Sequence, residues 1–351
     1  MPRAIAGTIA SAVILLLHAN AVWPAEPATN SPAALKTAVT KALGLLRKGA
    51  EGHVAQRTCF ACHNQAIPIL AFTTAQGRGF PKVDLKNQLQ FIASFLDRNQ
   101  ENYRKGKGQG GDVSTAGYAL LALELGGWKS DATTEAVVEY LLLRAKNLDH
   151  WRTSSHRPPS EASDFTSSYL AIRALTSWGT HTQQDRIAKR ITIVREWLRK
   201  TEAKDTEDRV FRLWALQAAG AQGNELMSAG QALLRTQRRD GGWGQTDAMD
   251  SDAYATGCSL VALNQAGSMA TSDPAYQRGV AFLLKSQRPD GSWMVQSRSQ
   301  PFQTYFESGF PHGKDQFISI AASAWATTAL AMACPIAEKA ESFPTTHSRT
   351  R

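Results

Sequence analysis

The sequence is poor in cysteine and has none of the common nucleotide-binding or hydrolase motifs. Its 351 residues include four cysteines, too few for a disulfide-stabilised scaffold. No G-x-G-x-x-G, Walker, H-E-x-x-H or G-x-S-x-G pattern occurs, so we expect neither nucleotide nor nucleic-acid binding. Beyond the N-terminal region we find no apolar run of about 18 residues, and we therefore expect no integral membrane span.

Charge and composition are those of an ordinary globular protein. Lys and Arg number 39 against 30 Asp and Glu, a formal charge of +9 spread along the chain, and 43% of the residues are hydrophobic. This composition excludes a disordered or fibrous chain, and the dispersed charge favours anionic partners only weakly.

The N-terminus has the pattern of an export signal. Arg3 supplies a positive charge, residues 9–17 an apolar core, and residues 19–21 (Ala-Asn-Ala) a small-residue cleavage site. We therefore expect a periplasmic or otherwise exported protein. The expected organisation is a signal peptide over 1–21, a linker over 22–30, a folded unit over 31–335 and a C-terminal tail over 336–351.

Two of the cysteines lie in the segment Cys59-Phe60-Ala61-Cys62-His63, the C-x-x-C-H signature of c-type haem attachment. The two thiols add to the haem vinyl groups, and the adjacent imidazole binds the iron as the proximal ligand. A redox C-x-x-C pair would need a βαβ setting, and a zinc knuckle would need a second C-x-x-C. We therefore predict covalently attached haem c with His63 as proximal ligand.

An Ala-Leu pair recurs five times, each ten and eleven residues after an Asp or Ser. These residues are Asp112, Asp164, Asp205, Asp252 and Ser319. A short side-chain oxygen suits a helix N-cap, and the segments that follow are rich in Ala and Leu with few charges. We therefore predict buried inner helices, with amphipathic outer helices between them.

A first hairpin fits the same scheme, with residues 31–46 as its outer helix and residues 62–76 as its inner helix. The total of six outer–inner pairs is enough to close a ring, although an open solenoid has the same local pattern. We predict an all-α fold of six helical hairpins, with C-x-x-C-H in the first inner helix.

Two segments, residues 229–243 and 278–293, resemble the QW motif of squalene-hopene cyclases through Gln237 with Trp243 and Gln287 with Trp293. Residues 308–311 (Ser-Gly-Phe-Pro) are similar to a Gly-Phe-Pro segment near the C-terminus of those enzymes. The resemblance implies an (α/α)6 toroid of the terpenoid cyclase and prenyltransferase type.

The sixth ligand of the haem iron must come from outside a usual cytochrome c domain, because no methionine lies between His63 and Met227. If the inner helices run parallel, the loops 148–163 and 294–318 emerge beside Cys62. The candidate distal ligands are His312 first, then His156, Met294 and Met249. Arg157 and Lys314 are candidates to pair with the haem propionates.

The resemblance also raises the question of cyclase chemistry. Hopene-forming cyclases use a D-x-D-D-T-A motif whose middle acid protonates the polyene. The corresponding segment here begins Asp250-Ser251-Asp252-Ala253, so Asp252 aligns with the acid but Ala253 replaces the next one. Asp252 is also an expected N-cap. The zinc ligands of protein prenyltransferases have no match around Cys258.

Three hypotheses follow. We favour an exported c-type haem protein on a terpenoid cyclase-like toroid, acting in electron transfer or haem-based redox chemistry with a redox partner protein. The alternatives are a cyclase-like enzyme that acts on an apolar isoprenoid with Asp252 as its acid, and a non-catalytic scaffold that binds haem or lipid. The sequence leaves the oligomeric state open.

Overall fold

The protein folds into α-helices joined by loops, and the computed structural model describes residues 30–300 and 304–336. The predicted signal peptide, and all but the first residue of the predicted C-terminal tail, lie outside these residues. In chain order the helices are α1 (Pro32–Gln56), a π-helical turn (Cys62–Ala66) leading into α2 (Ile67–Gly77), α3 (Lys86–Asp97), α4 (Gln100–Arg104), α5 (Asp112–Leu125), α6 (Ala132–Arg144), α7 (Asp164–Trp178), α8 (Gln184–Lys200), α9 (Thr206–Ala218), α10 (Asn224–Leu234), α11 (Ala253–Gln265), α12 (Pro274–Ser286) and α13 (Gln316–Ala333). Two-residue strands β1 (Trp243–Gly244) and β2 (Ser251–Asp252) pair antiparallel before α11.

Six helices form an inner ring. Each of α2, α5, α7, α9, α11 and α13 packs against the next, and α13 packs against α2. The contact between the last and first inner helices closes the ring, so the predicted all-α toroid is confirmed and an open solenoid is excluded for the described residues.

Burial follows the amphipathic pattern of the sequence. The inner helix α11 is buried at every position from Ala253 to Leu263. The outer helix α8 buries one face at Ile187, Val194 and Leu198, and all of its charged side chains except the buried Arg190 lie on its more exposed side. Apolar surface removed from water contributes about 25 cal/mol per Å², so this layering supplies the main favourable term of folding.

The tryptophans of the QW-like segments fasten outer helices to the loops that follow them. Three buried tryptophans donate from the indole N–H to the carbonyl of the leucine ten residues earlier: Trp151 to Leu141 (2.9 Å), Trp243 to Leu233 (3.1 Å) and Trp293 to Leu283 (2.8 Å). Trp151, in the hairpin of α6 and α7, therefore makes the same contact as Trp243 and Trp293, and the sequence analysis did not recognise it.

The glutamines of these segments join one hairpin to the next. Gln237 donates to the Ala275 carbonyl at the start of α12 (2.7 Å). Gln287 donates to the Ala38 carbonyl in α1 (3.0 Å). Because the second bond runs from the last hairpin to the first, it stabilises the closure of the ring.

The expected N-caps are only partly correct. Asp205 and Asp252 do cap their helices, each accepting from a backbone N–H three residues on at 2.9 Å. Gly111 and Ser163 occupy the caps of α5 and α7 instead, and Ser319 lies inside α13. The reason is tertiary: the Asp112 carboxylate pairs with Arg144 of α6, and Asp164 accepts from the Thr153 N–H and contacts His150.

One described segment, Gly313–Ala333, is long and apolar enough to cross a membrane, although 89% of it is buried within the protein. The sequence analysis overlooked it because serines and threonines interrupt the apolar run. Its burial is that of the core helix of a ring.

Candidate functional site

The C-x-x-C-H segment lies where the chain passes from α1 into the first inner helix. Cys59 is half-buried in the loop, and Cys62 is buried as the first residue of the π-helical turn, with His63 next to it. Two contacts hold the loop: the Arg98 guanidinium donates to the Thr58 carbonyl (2.7 Å), and His53 Nε2 lies 2.7 Å from the Cys59 carbonyl.

Three different kinds of metal-binding side chain converge at this turn. Candidate ligand atoms of Cys62, His63 and Glu161 lie within 4.8 Å of one another. The Cys62 thiol donates to Glu161 Oε1 (2.9 Å), and Arg157 pairs with the other oxygen of the same carboxylate. The structure thus brings Arg157 beside the segment, together with Glu161, which the sequence analysis did not assign.

Electrostatics keep the thiol and the imidazole uncharged. Burial, and then the neighbouring Glu161 carboxylate, raise the pKa of the Cys62 thiol well above its usual range. Desolvation, and then electrostatic interactions with His53 and Arg157, lower the pKa of His63 to about 3. A neutral imidazole has a lone pair available for a metal ion.

The surroundings of His63 are apolar and aromatic. The His63 and Phe317 ring centroids are 5.3 Å apart, as are those of Phe317 and Phe306. The Arg57 guanidinium lies 4.3 Å over the Phe306 ring. Apolar rings suit the face of a porphyrin, and guanidinium groups suit its carboxylates.

Three buried polar atoms without a hydrogen-bond partner belong to this turn or to α5, which packs against it. They are Asn64 Oδ1, Gln65 Nε2 and the Tyr118 hydroxyl. A buried polar atom without a partner costs about 1–3 kcal/mol, so each is available to a ligand. Together with the two thiols, the imidazole and the arginines, this donor set fits a covalently attached haem.

The other residues predicted to bind the haem lie in the loops before α7 and α13. His312 Nε2 lies 2.8 Å from Ser292 Oγ, and the His312 ring centroid is 6.3 Å from that of Phe310. His156 and Lys314 are exposed, and Met294 is 42% exposed. Their assignment to a haem stays a prediction.

Asp252 has the geometry of a structural cap. One carboxylate oxygen accepts from the Ala255 N–H (2.9 Å) and the other from Gln245 Nε2 (2.9 Å). Desolvation raises the pKa of Asp252. Because both oxygens are engaged and Ala253 supplies no second acid, this geometry favours capping; a catalytic role for Asp252 stays a prediction.

Glu207, in the first turn of α9, is a buried acid that the sequence analysis missed. It accepts hydrogen bonds from Thr166 Oγ1 (3.0 Å) on α7 and from the Tyr254 hydroxyl (3.1 Å) on α11. Burial, and then the nearby Asp205 carboxylate, raise the pKa of Glu207 well above its usual range. The available signal is the run of three acids in four residues, 205–208, at the start of an inner helix.

Tyr118, on α5, is a further buried polar side chain of the ring. Burial raises the pKa of its phenol well above the usual range, and the acidic side chains of Glu207 and Glu161 raise it further. Its hydroxyl is buried and has no hydrogen-bond partner among the described residues.

Sequence comparison finds similarity to terpenoid-forming enzymes. The chain is 30% identical over 209 residues to the drimenyl diphosphate synthase of Streptomyces showdoensis and 29% identical over 207 residues to that of Streptantibioticus cattleyicolor. Each match covers 55% of this chain and only 37% of the relative. No protein-family model matches the chain.

Structural comparison finds the same class of fold. The type II terpene cyclase MstE from Scytonema superposes with a TM-score of 0.51 in a product complex and 0.53 in a complex with geranylgeranyl dihydroxybenzoate, its substrate. In both cases the identity is 15%, and the match covers 87% of this chain and 98% of the other. The chain therefore has the fold of a terpene cyclase.

Proposed function

We propose that this chain is an exported c-type haem protein built on a terpene cyclase-like toroid. The observation that carries the proposal is the position of Cys62 and His63 of a C-x-x-C-H segment beside Glu161, with Arg157 paired to that carboxylate. The compared proteins support the fold and not the haem, which depends on the motif and its surroundings.

The residues of the chain have separate tasks in this proposal. When bound, haem supplies one-electron exchange at its iron. Cys59 and Cys62 would hold it through thioether bonds. Each bond would form by addition of a thiol S–H across one vinyl double bond, with the sulfur on one vinyl carbon and the hydrogen on the other. The π-helical turn orients the His63 imidazole, and its low pKa keeps the nitrogen lone pair free.

Attachment also changes the contacts of Glu161. A thioether sulfur carries no hydrogen, so Cys62 can no longer donate to Glu161. The carboxylate then keeps Arg157 as its partner, and the pair remains neutral overall beside the haem. Burying one charge without the other would cost several kcal/mol.

The test is the mass of the tryptic peptide that contains Cys59 to His63, from full-length protein matured in a cytochrome-assembling host. We expect the added mass of haem, and its loss in the Cys59→Ser/Cys62→Ser variant. Cys258→Ser is the matched control, because Cys258 is buried in α11 outside the motif. An unmodified wild-type peptide would overturn the proposal.

A second function, cyclisation of an apolar isoprenoid, is supported by the sequence similarity to drimenyl diphosphate synthases and by one feature of the ring interior. Glu207 is a buried acid with a raised pKa, and the aromatic residues Tyr169 on α7 and Trp214 on α9 stack at 5.4 Å between ring centroids. A protonated carboxyl can transfer its proton to an alkene carbon, leaving a carbocation that aromatic faces stabilise.

The second function is tested by incubating the full chain with a linear polyprenyl diphosphate and analysing the products by mass spectrometry. If the chain cyclises this substrate, Glu207→Gln is expected to abolish the reaction. Asp252→Asn, which preserves the cap, is expected to retain it. Products from the Glu207→Gln variant would reject Glu207 as the acid. Binding of an isoprenoid without turnover, by a chain that carries no haem, would identify a non-catalytic scaffold.

A further inference from the structure

His53 lies near the end of α1, next to the C-x-x-C-H segment. Its side chain is 2% exposed. The ring packs between aromatic neighbours, with centroid distances of 6.5 Å to Phe91 and 5.7 Å to Phe306. A histidine buried this deeply is expected to have a partner for both ring nitrogens.

Only one of the two nitrogens of His53 has such a partner. Nε2 lies 2.7 Å from the Cys59 carbonyl, and because a carbonyl can only accept, Nε2 must carry the hydrogen. In the neutral ring Nδ1 then holds a lone pair. This Nδ1 atom is buried and has no hydrogen-bond partner among the described residues.

This arrangement is typical of a metal-ligating histidine. Such histidines almost always donate the second ring N–H to a carboxylate or a backbone carbonyl, which fixes the tautomer and the ring orientation. Here the carbonyl belongs to Cys59, one of the two residues expected to hold the haem. The contact therefore ties the orientation of His53 to the attachment segment itself.

His53 and His63 each contact one ring of the Phe306–Phe317 pair. A series of ring contacts joins the two histidines, from His53 to Phe306 (5.7 Å), from Phe306 to Phe317 (5.3 Å) and from Phe317 to His63 (5.3 Å). Both imidazoles thus border the same aromatic cluster.

We propose that His53, through its unpartnered Nδ1, would supply the second protein ligand of a bound haem, with His63 as the first. This inference rests on the proposed haem function. It replaces His312 as the preferred sixth ligand, because His53 contacts the attachment segment itself and has a buried nitrogen without a partner among the described residues. The sequence analysis missed His53 because it sought the ligand after the motif, and His53 precedes it.

The test is the iron spin state of the full-length haem-loaded protein, measured by absorption and electron paramagnetic resonance. We expect low-spin ferric iron in the wild type and a reduced form that does not bind CO. His53→Ala is expected to become high-spin and to bind CO, and added imidazole is expected to restore the low-spin signal. His53→Met, a Met/His pair, is expected to raise the reduction potential.

His312→Ala and His156→Ala are the matched controls, and both are expected to keep the wild-type spectrum. The inference is overturned if His53→Ala remains low-spin, or if the loaded wild type is already high-spin. Circular dichroism and the imidazole rescue distinguish a lost ligand from a misfolded chain. Wild-type protein that carries no haem instead overturns the proposed function, and the inference with it.

Discussion

At the residue scale, the environment of each titratable group decides its chemistry more than its type does. Asp252 and Glu207 are both acids at the start of inner helices, and burial raises the pKa of each. Asp252 is held by a backbone N–H and an amide as a cap. Glu207 accepts only from hydroxyl groups of neighbouring helices, which leaves it free of a structural role in its own helix.

The raised pKa of Glu207 predicts a specific dependence of stability on pH. Between the unfolded-state pKa of about 4.3 and the higher folded-state pKa, the folded protein holds a proton that the unfolded chain has lost. The free energy of unfolding therefore falls as pH rises through this window. Glu207→Gln is expected to remove that loss, so that the variant gains stability relative to wild type as pH rises.

Urea denaturation at a series of pH values from about 4 to 8 measures this difference. Other groups titrate in both proteins, so the relevant quantity is the difference between variant and wild type. Glu135→Gln, at an exposed position on α6, is the control for the effect of a Glu-to-Gln substitution at the surface. Parallel curves for Glu207→Gln and wild type would contradict the assignment of a raised pKa.

At the element scale, the loops of the QW-like segments connect neighbouring hairpins through close backbone contacts. Gly291 has φ +92°, and a Cβ added there would lie 2.8 Å from Lys41 Cβ and 3.0 Å from the Lys41 carbonyl carbon in α1. The turn that follows Gln287 therefore packs directly against α1, and only glycine fits at position 291.

Gly291→Ala is expected to destabilise the protein by about 2–5 kcal/mol, the sum of left-handed strain of about 1–2 kcal/mol and overpacking of about 1–3 kcal/mol. Gly267→Ala is the matched control, since Gly267 has φ +72° and nothing within 4 Å of an added Cβ. It is expected to cost only the strain. Thermal and urea unfolding measure both values, and equal losses would show that the contact with α1 contributes nothing.

At the scale of the whole molecule, closure of the ring makes the first and last hairpins interior elements. In an open solenoid the terminal repeats contact one neighbour and fray first. Here α2 and α13 pack together, and Gln287 bonds to α1. The ends of the described chain are thus as well supported as its middle.

Native-state hydrogen exchange tests this closure. Amide protons of α2 and α13 are expected to exchange as slowly as those of α7 and α9, all through global unfolding. Gln287→Ala is expected to speed exchange in α1 and α12 first, because it removes the bond to Ala38. Protection that declines steadily from α7 towards α2 and α13 in the wild type would indicate an open array.

Much of this architecture could be predicted from the sequence, because its signals are local and periodic. Helical stripes, Ala-Leu repeats and paired glutamine and tryptophan positions specified six hairpins, and the C-x-x-C-H spacing specified a candidate cofactor site. The N-cap predictions for Asp112 and Asp164 were wrong because their carboxylates pair with Arg144 and His150 instead. Such a choice depends on neighbours distant in sequence.

The sequence by itself determined the helical periodicity, the repeat count and the thiol–imidazole motif, since each is carried by residues a few positions apart. Only the tertiary structure decided that the ring closes, that Glu161 lies against Cys62, and that Glu207 is a buried acid. The tertiary structure also decided that the Nδ1 atom of His53 is buried without a hydrogen-bond partner among the described residues. Desolvation and hydrogen-bond partnership depend on which side chains meet across helices, and no local pattern encodes that.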